Sequence, residues 1–335
     1  MKKAFITGVG GQDGSWLAEL LLEKGYKVYG LVQRTSKPDY GNSEHLIGKV
    51  EFIVGDMTDM PSLINAIKIS MPDEVYNLAA QSFVGMSFTN PAMTTAVNAV
   101  GVYNLLEAVK LVKPDTRVYH ASTSEMFGEV REVPQKETTP FNPRSPYGNA
   151  KVDAHFAVMN YREGYGMYAC SGILFNHESE RRGIEFVTRK ITNAVAKISL
   201  GKQDVLELGN LSAKRDWGHA KDYVKAMWLM LQQPTANDYV IATGETRTVR
   251  EFVERAFAHV GIKIKWQGEG VDEIGICEKT KKILVKVNPE FFRPTEVELL
   301  VGDSSKAQKE LGWKREIDFD TLVKLMVEND LKLNK

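Results

Sequence analysis

Short apolar runs alternate with segments of helical periodicity through the first half of the chain. Residues 4–7 form a mostly apolar run that predicts a buried strand, and residues 16–24 place their leucines on one helix face before Gly25. The same patterns predict strands at residues 27–32, 51–54, 74–78, 117–121 and 168–174, and helices at residues 62–69, 94–112 and 147–164. Alternating strands and helices are typical of an α/β fold with a doubly wound parallel sheet.

The alternation becomes less regular from Asn176 onward. Helices are predicted there at residues 187–199, 221–231 and 249–260. We therefore expect residues 1–175 to form a dinucleotide-binding domain, to which residues of about 210–245 return. Residues 176–335 are expected to form mainly a smaller C-terminal substrate-binding lobe.

The composition excludes several classes of protein. The 335 residues contain 43 Lys and Arg against 43 Asp and Glu, so no basic surface is expected for nucleic acid or an anionic membrane. Cys170 and Cys277 are distant in sequence and lack metal-ligand spacing, which argues against a disulfide framework and a metal site. The apolar run at the start is too short for a signal peptide or membrane span, and a cytoplasmic protein is expected.

A glycine-rich turn follows the first predicted strand. Gly8, Gly11 and Gly14 form Thr-Gly-x-x-Gly-x-x-Gly between that strand and the first helix. Glycine allows a tight turn and brings the backbone close to a pyrophosphate at the helix N-terminus. A plain strand-to-helix turn is the alternative. The spacing favours a Rossmann-type nucleotide fold of the short-chain dehydrogenase/reductase superfamily.

The end of the second strand bears on the choice of cofactor. Arg34, with Thr35 and Ser36 beside it, can hold a 2′-phosphate through charge-assisted hydrogen bonds, which favours NADP over NAD. A solvated loop arginine is the alternative. Asp56, followed by Met57, could accept a hydrogen bond from the adenine amine, although ordinary packing would explain these residues equally well.

Tyr147 and Lys151 lie four residues apart, on one face of a predicted helix. The pKa of a phenol is near 10 and must fall by about 3 units for the group to act at neutral pH, which corresponds to roughly 4 kcal/mol in favour of phenolate. Lys151 and a cationic nicotinamide could together supply this stabilisation. Thr123 and Glu125 follow the fifth strand, and a carboxylate there can act as a base on carbon. The alternatives are an exposed Tyr/Lys pair and a glutamate that caps a turn.

Several longer strings closely resemble the GDP-mannose 4,6-dehydratase family. They are GGQDGS at residues 10–15, LAAQS at 78–82, ASTSE at 121–125, PRSPYG at 143–148, GILFNHES at 172–179 and GNLSAKRDWGHAKDY at 209–223. The resemblance covers nearly the whole chain, with little in residues 261–290. It implies that GDP-mannose is converted to GDP-4-keto-6-deoxymannose with loss of water, by an NADP that each turnover regenerates.

The resemblance also implies a role for each matching residue. Tyr147 would take the C4 hydroxyl proton, Thr123 would hydrogen-bond the new carbonyl, and Glu125 would abstract the C5 proton. The residues implied to bind cofactor are Gly8, Gly11, Gln12, Asp13, Gly14, Arg34, Thr35, Ser36, Asp56, Met57, Leu78, Ala79, Ala80, Gln81, Ser82, Tyr147, Lys151, His177 and Arg182. Those implied to bind the sugar nucleotide are Ser82, Asn176, Lys190, Arg215 and Arg293; for any one of these, a structural salt bridge is the alternative.

Some positions depart from the family pattern: Gln33, Phe83, Met93, Phe127 and Asn193. They bear on cofactor preference, subunit contacts and substrate strictness more than on the reaction. Two other classes of function stay open, a nucleotide-sugar 4-reductase or epimerase, which needs no base on carbon, and a noncatalytic NADP-binding protein. Relatives form homodimers or homotetramers through helices such as those near residues 94–112 and 147–164, which implies the same here.

Overall fold

The structure is a computed structural model that describes residues 1–36, 39–292, 295, 297 and 299–335. Its strands are β1 Lys3–Thr7, β2 Lys27–Val32, β3 Glu51–Val54, β4 Glu74–Asn77, β5 Arg117–Thr123, β6 Ala169–Leu174, β7 Asn176–Glu178, β8 Leu206–Leu208, β9 Lys214–Arg215, β10 Trp217–His219, β11 Tyr239–Ile241, β12 Arg247–Thr248, β13 Ile264–Gln267, β14 Ile274–Cys277 and β15 Ile283–Val287. Its α-helices are α1 Gln12–Glu23, α2 Met60–Ser70, α3 Val84–Thr89, α4 Pro91–Thr95, α5 Gly101–Val112, α6 Pro146–Tyr165, α7 Val187–Ser199, α8 Ala220–Leu231, α9 Val249–His259, α10 Ser305–Leu311 and α11 Phe319–Asn334.

The described residues build one seven-stranded sheet in the order β11-β6-β5-β4-β1-β2-β3. Every neighbouring pair in it is parallel. Apolar side chains such as Ile6 and Phe5 pack against helices on the two faces of the sheet, in separate buried clusters. The predicted α/β class with a Rossmann-type doubly wound sheet is confirmed.

A second lobe has its own sheet and core. Strands β13, β14, β15 and β8 form a four-stranded sheet, and helices α7, α9 and α11 pack beside one another. Trp217 lies at the centre of the buried cluster, with ring centroids 5.3 Å from Phe252 and 6.2 Å from Phe319. The chain then returns from this lobe to the large sheet, because β11 pairs with β6.

One predicted helix differs from the prediction in two respects, and helices α3, α10 and α11 were not predicted. The helix predicted at residues 94–112 starts earlier, at Pro91, and contains a π-helical segment, Ala96–Val100, between α4 and α5. Inside that segment the Asn98 side chain accepts from the Gln81 amide and donates to the Gln81 carbonyl, each at 2.8 Å. A π segment often marks a functional position in a helix, and this one directs Asn98 at the loop after β4.

Candidate active site

A cavity of about 1080 Å³ lies between the carboxyl end of the large sheet and the second lobe. Most residues expected in the site line it: Gly8, Gly11, Gln12, Asp13, Gly14, Thr35, Asp56, Met57, Leu78, Ala79, Ala80, Gln81, Ser82, Thr123, Glu125, Tyr147, Lys151, Asn176, His177, Arg182, Lys190 and Arg215. Arg34 and Ser36 are exposed and lie outside its lining. Arg293 lies outside the described residues.

The glycine turn packs too closely for larger side chains. Gly8 has φ +69°, and a Cβ there would lie 2.8 Å from the Ala79 nitrogen. A Cβ on Gly14 would lie 2.2 Å from the Gly8 carbonyl oxygen. Gly11, the N-cap of α1, leaves the first helical amides without a side-chain cap. A backbone cradle at an uncapped helix N-terminus fits the pyrophosphate of a dinucleotide.

The loop after β4 is held from both sides. Thr7 Oγ1 accepts from the Leu78 and Ala79 amides, both at 3.1 Å, and donates to Asn77 Oδ1 at 2.7 Å. Asn98 holds the Gln81 backbone on the opposite side. The segment expected to contact cofactor is therefore fixed by the sheet and by the π-helical segment.

Asp56 has partners of its own near the expected adenine end. Its Oδ1 accepts from the Thr58 amide at 2.8 Å and the Thr58 hydroxyl at 2.7 Å, and these bonds lower the pKa of the carboxyl. Its Oδ2 accepts from Gln33 Nε2 at 2.8 Å. Gln33, which departs from the family pattern, thus joins the loops after β2 and β3.

The four expected catalytic residues meet in the cavity. Tyr147 and Lys151 lie on α6, and Thr123 and Glu125 lie where β5 ends. Thr123 Oγ1 accepts from the Glu125 amide at 3.2 Å, which fixes the turn that carries the carboxylate. Ser145 caps α6 by accepting from the Gly148 amide at 3.0 Å, and Pro146 begins the helix just before Tyr147.

Burial controls the ionisation of the Tyr/Lys pair. Tyr147 is 8% exposed, and burial raises its pKa to about 12, although a hydrogen bond with Thr123 acts in the opposite direction. Lys151 is 3% exposed, and burial lowers its pKa to about 8. Lys151 Nζ donates to the Ala121 carbonyl at 2.9 Å and lies 5.9 Å from the Tyr147 ring centroid. The phenol therefore needs a further positive charge to ionise at neutral pH.

His177 and Arg182 each pair with a carboxylate, and that of Glu178 is buried. His177 Nε2 lies 2.7 Å from Asp13 Oδ2, and Arg182 Nε lies 3.0 Å from Glu178 Oε2. Burial opposes the charged form of His177, but the charge of Asp13 and the hydrogen bonds to Asp13 and the Phe175 carbonyl together outweigh burial and raise the pKa of the imidazole. Glu178 follows His177 directly in a string that resembles the family, yet its pairing with Arg182 depends on a turn that sequence patterns do not specify.

The second lobe supplies polar groups to the remaining cavity wall. Asn176 Oδ1 is buried and lacks a hydrogen-bond partner among the described residues. Lys190 Nζ lies 3.5 Å from the Phe291 ring centroid, and burial lowers its pKa. Phe291 and Phe186 were not expected in the site, because aromatic residues far apart in sequence carry no motif.

Two other kinds of feature are absent from the part of the chain that the structure describes. Among these residues, no three His, Cys, Asp or Glu side chains are grouped so that they could hold a metal ion. Within the same ranges, no helix has the length and apolar character needed to cross a membrane. Cys170 and Cys277 are both free and buried.

Comparison with known proteins gave matches over the full length. A family model described as GDP-mannose 4,6 dehydratase matches residues 5–326. A protein of that name from Cricetulus griseus is 53% identical over 342 residues, covering 99% of this chain and 92% of that protein. A GDP-mannose 4,6-dehydratase from Yersinia enterocolitica is 51% identical over 354 residues, covering 100% and 95%. The solved structure of the Thermus thermophilus UDP-glucose 4-epimerase with NAD is similar at TM-score 0.82 and 25% identity, covering 98% of this chain and 99% of that chain.

Proposed function

The chain belongs to the GDP-mannose 4,6-dehydratase family, and we propose that its cavity converts GDP-D-mannose to GDP-4-keto-6-deoxy-D-mannose and water. The observation that carries this function is the meeting of Glu125 with Thr123, Tyr147 and Lys151 in one cavity. A Tyr/Lys pair suffices for oxidation at C4. Loss of water from C5 and C6 needs a base on carbon as well, and Glu125 lies in position to supply it.

NADP is the cofactor, and the fit of the glycine cradle to a pyrophosphate supports its placement along the turn before α1. When bound, NADP would supply an acceptor for the C4 hydride, a positive charge that favours phenolate, and a donor of hydride for C6. The loop after β4, Asp56 and Met57 would hold the adenosine half, and His177 and Arg182 the nicotinamide half. Arg34, Thr35 and Ser36 would bind the 2′-phosphate, with Arg34 and Ser36 reaching it from outside the cavity lining.

Tyr147 would act as the base for the C4 hydroxyl. Its pKa of about 12 must fall to near neutrality, a change of roughly 7 kcal/mol in favour of phenolate. The charge of Lys151, four residues along the same buried helix face, contributes, and Thr123 donates its hydroxyl to the oxygen that becomes the C4 carbonyl.

Glu125 would carry out the elimination. Once C4 is a ketone, the C5 proton is acidic, and the carboxylate would abstract it while the C6 hydroxyl leaves as water with the proton that Tyr147 took from the C4 hydroxyl. The same carboxyl group then returns a proton to C5 when hydride reaches C6. One residue in two protonation states thus serves both halves of the step.

The sugar nucleotide would bind through the second lobe, with Ser82 contributing from the large sheet. Lys190 and Arg215 are suited to the diphosphate because they bring positive charge to the cavity wall, and Arg293 is expected to join them. Asn176 Oδ1, buried without a partner among the described residues, can accept from a hydroxyl of the ligand. In this division residues 1–175, with residues of about 210–245 returning to them, would form the NADP-binding domain, and residues 176–335 would form mainly the nucleotide-sugar-binding lobe.

A homo-oligomer, a dimer or a tetramer, is the proposed assembly in the cytoplasm. Apolar side chains stand exposed on α5 and α6, including Leu111 and Phe156, which is 48% exposed. Light scattering of the wild type and of Phe156→Glu tests the assembly, because a charge on a helix interface should shift the protein to a smaller species. An unchanged mass would exclude this face as the interface.

The cytoplasmic location is tested by fractionation of cells.

The reaction itself is tested with GDP-mannose that carries deuterium at C4. Purified protein should release a sugar nucleotide lighter by one water, with the deuterium on the C6 methyl group. A product that keeps its oxygen, or deuterium that appears in the solution cofactor, would instead indicate a reductase or epimerase.

A further inference from the structure

Two aromatic rings from different lobes meet at the cavity. Phe83 follows the loop after β4, and Phe186 precedes α7 in the second lobe. Their ring centroids are 5.8 Å apart with an interplanar angle of 77°, an edge-to-face contact. Both side chains line the cavity, so their contact joins its two walls.

Phe83 is held in place on the side of the large sheet. Its ring lies over Gly85, where a Cβ would be 3.1 Å from the ring. Its carbonyl accepts from Gln81 Nε2 at 2.9 Å, and Gln81 is in turn held by Asn98. The ring is nevertheless 36% exposed, so it covers the mouth of the cavity instead of filling the core.

Phe186 is held from behind by the second lobe. The Arg182 guanidinium lies 3.6 Å from the Phe186 ring centroid. Arg189 Nη1 donates to the carbonyls of Glu180 at 2.7 Å and Arg182 at 3.0 Å, which fixes the segment before Phe186. Arg189 itself is anchored on α11, where its Nε donates to the buried Asp330 at 2.8 Å.

The proposed reaction has a stage at which closure matters. The C4 hydride has left the sugar, the C5 proton is on Glu125, and the C6 hydroxyl has left as water together with the proton taken from the C4 hydroxyl. The sugar is then an unsaturated ketone, which becomes product only when hydride adds to C6 and a proton to C5. Escape at this stage would release a compound that lacks one hydride and one proton relative to product, and would leave the cofactor reduced.

We propose that the Phe83–Phe186 contact closes the cavity across the two lobes and retains the unsaturated sugar until hydride returns. This role rests on the proposed dehydration. It makes Phe83 and Phe186 positioning residues, because the bonds that form and break lie on other groups.

The test uses Phe83→Ala, Phe186→Ala and the double variant in the full-length protein, with Phe83→Tyr as the matched control that keeps a ring. Mass spectrometry measures the released sugar nucleotide that is one hydride and one proton lighter than product. Absorbance measures cofactor left reduced on the enzyme, and stopped flow measures the dissociation rate of GDP. Thermal unfolding checks that each variant is folded.

Both alanine variants should raise the escaped fraction and the GDP dissociation rate by on the order of tenfold, the change in population that one aromatic pair can support. The double variant should be no worse than either single one, and Phe83→Tyr should match the wild type. The proposal is overturned if folded alanine variants release product without the lighter sugar nucleotide and if GDP dissociates from them at the wild-type rate. A wild type that forms no dehydrated sugar would instead overturn the proposed function.

Discussion

His177 and Asp13 form a partly buried ion pair between the second lobe and the glycine turn. His177 Nε2 lies 2.7 Å from the Asp13 carboxylate, and Nδ1 lies 2.7 Å from the Phe175 carbonyl oxygen. Because both ring nitrogens face acceptors, the geometry favours the imidazolium, in which both nitrogens carry a proton. The ring also stacks on Tyr223, with centroids 4.4 Å apart.

This pair predicts a pH dependence of stability. The pKa of His177 is raised above 6.5, so its contribution is complete below that value and is lost as the pH rises through the higher folded pKa. Asp13→Asn should lower the free energy of unfolding by about 3 kcal/mol in acidic buffer and by less in alkaline buffer. Urea unfolding across this range measures the difference, and a difference that does not change with pH would contradict the ion pair.

Lys151 predicts a pH dependence of stability with the opposite sign. Its pKa of about 8 lies below the ordinary 10.5, so the folded protein loses this proton before the unfolded chain does. Relative to Lys151→Met, the wild type should therefore gain up to about 3 kcal/mol of stability as pH rises from 8 to 10.5. Paired urea titrations measure this, and parallel curves for the two proteins would show that Lys151 titrates normally.

Substitutions of Glu125 and of Tyr147 should stop the reaction at different steps. Glu125→Gln should reduce kcat by on the order of 10²–10⁴ and abolish exchange of the C5 proton with solvent, while oxidation at C4 persists. Tyr147→Phe should lose oxidation as well. Single-turnover absorbance of the reduced cofactor separates the two variants. Wild-type turnover in Glu125→Gln would remove the carboxylate from the mechanism.

We predict that replacing Asn98 weakens cofactor binding, although this side chain is not expected to contact the cofactor. Asn98→Ala removes both hydrogen bonds that fix Gln81, at a cost of about 2 kcal/mol, and should raise the Kd for NADPH by on the order of tenfold. Thr95→Ala is the matched control, because its exposed hydroxyl bonds only the Pro91 carbonyl of its own helix. Fluorescence titration measures both, and equal Kd values would assign Asn98 to folding alone.

Local patterns predicted the sheet and the chemical groups of the site. Strands β1 to β6 and the turn at Gly8 depend on short-range spacing, as do Tyr147 and Lys151 on one face of α6. The family resemblance seen in the sequence was confirmed by matches over residues 5–326 and over 99% of the chain.

Contacts between distant segments could not be predicted in this way. Phe83 meets Phe186, and Asp13 meets His177, only because the second lobe closes against the sheet. The raised pKa of Tyr147 likewise depends on its burial in the folded chain, and Asn98 of the π-helical segment bonds Gln81, 17 residues earlier. Periodicity within one helix contains none of this information.

The return of β11 to the large sheet has a mechanical consequence. Its entry is locked by Asp238, which binds Arg162 of α6 through two bonds of 2.9 and 2.8 Å and also accepts from the Ser171 amide at 2.6 Å. A fragment ending at residue 175 would lack this edge strand and expose the flank of β6 to intermolecular pairing. Neither lobe can be excised as one continuous piece, so we expect both to melt in a single cooperative transition and nicked protein to stay associated.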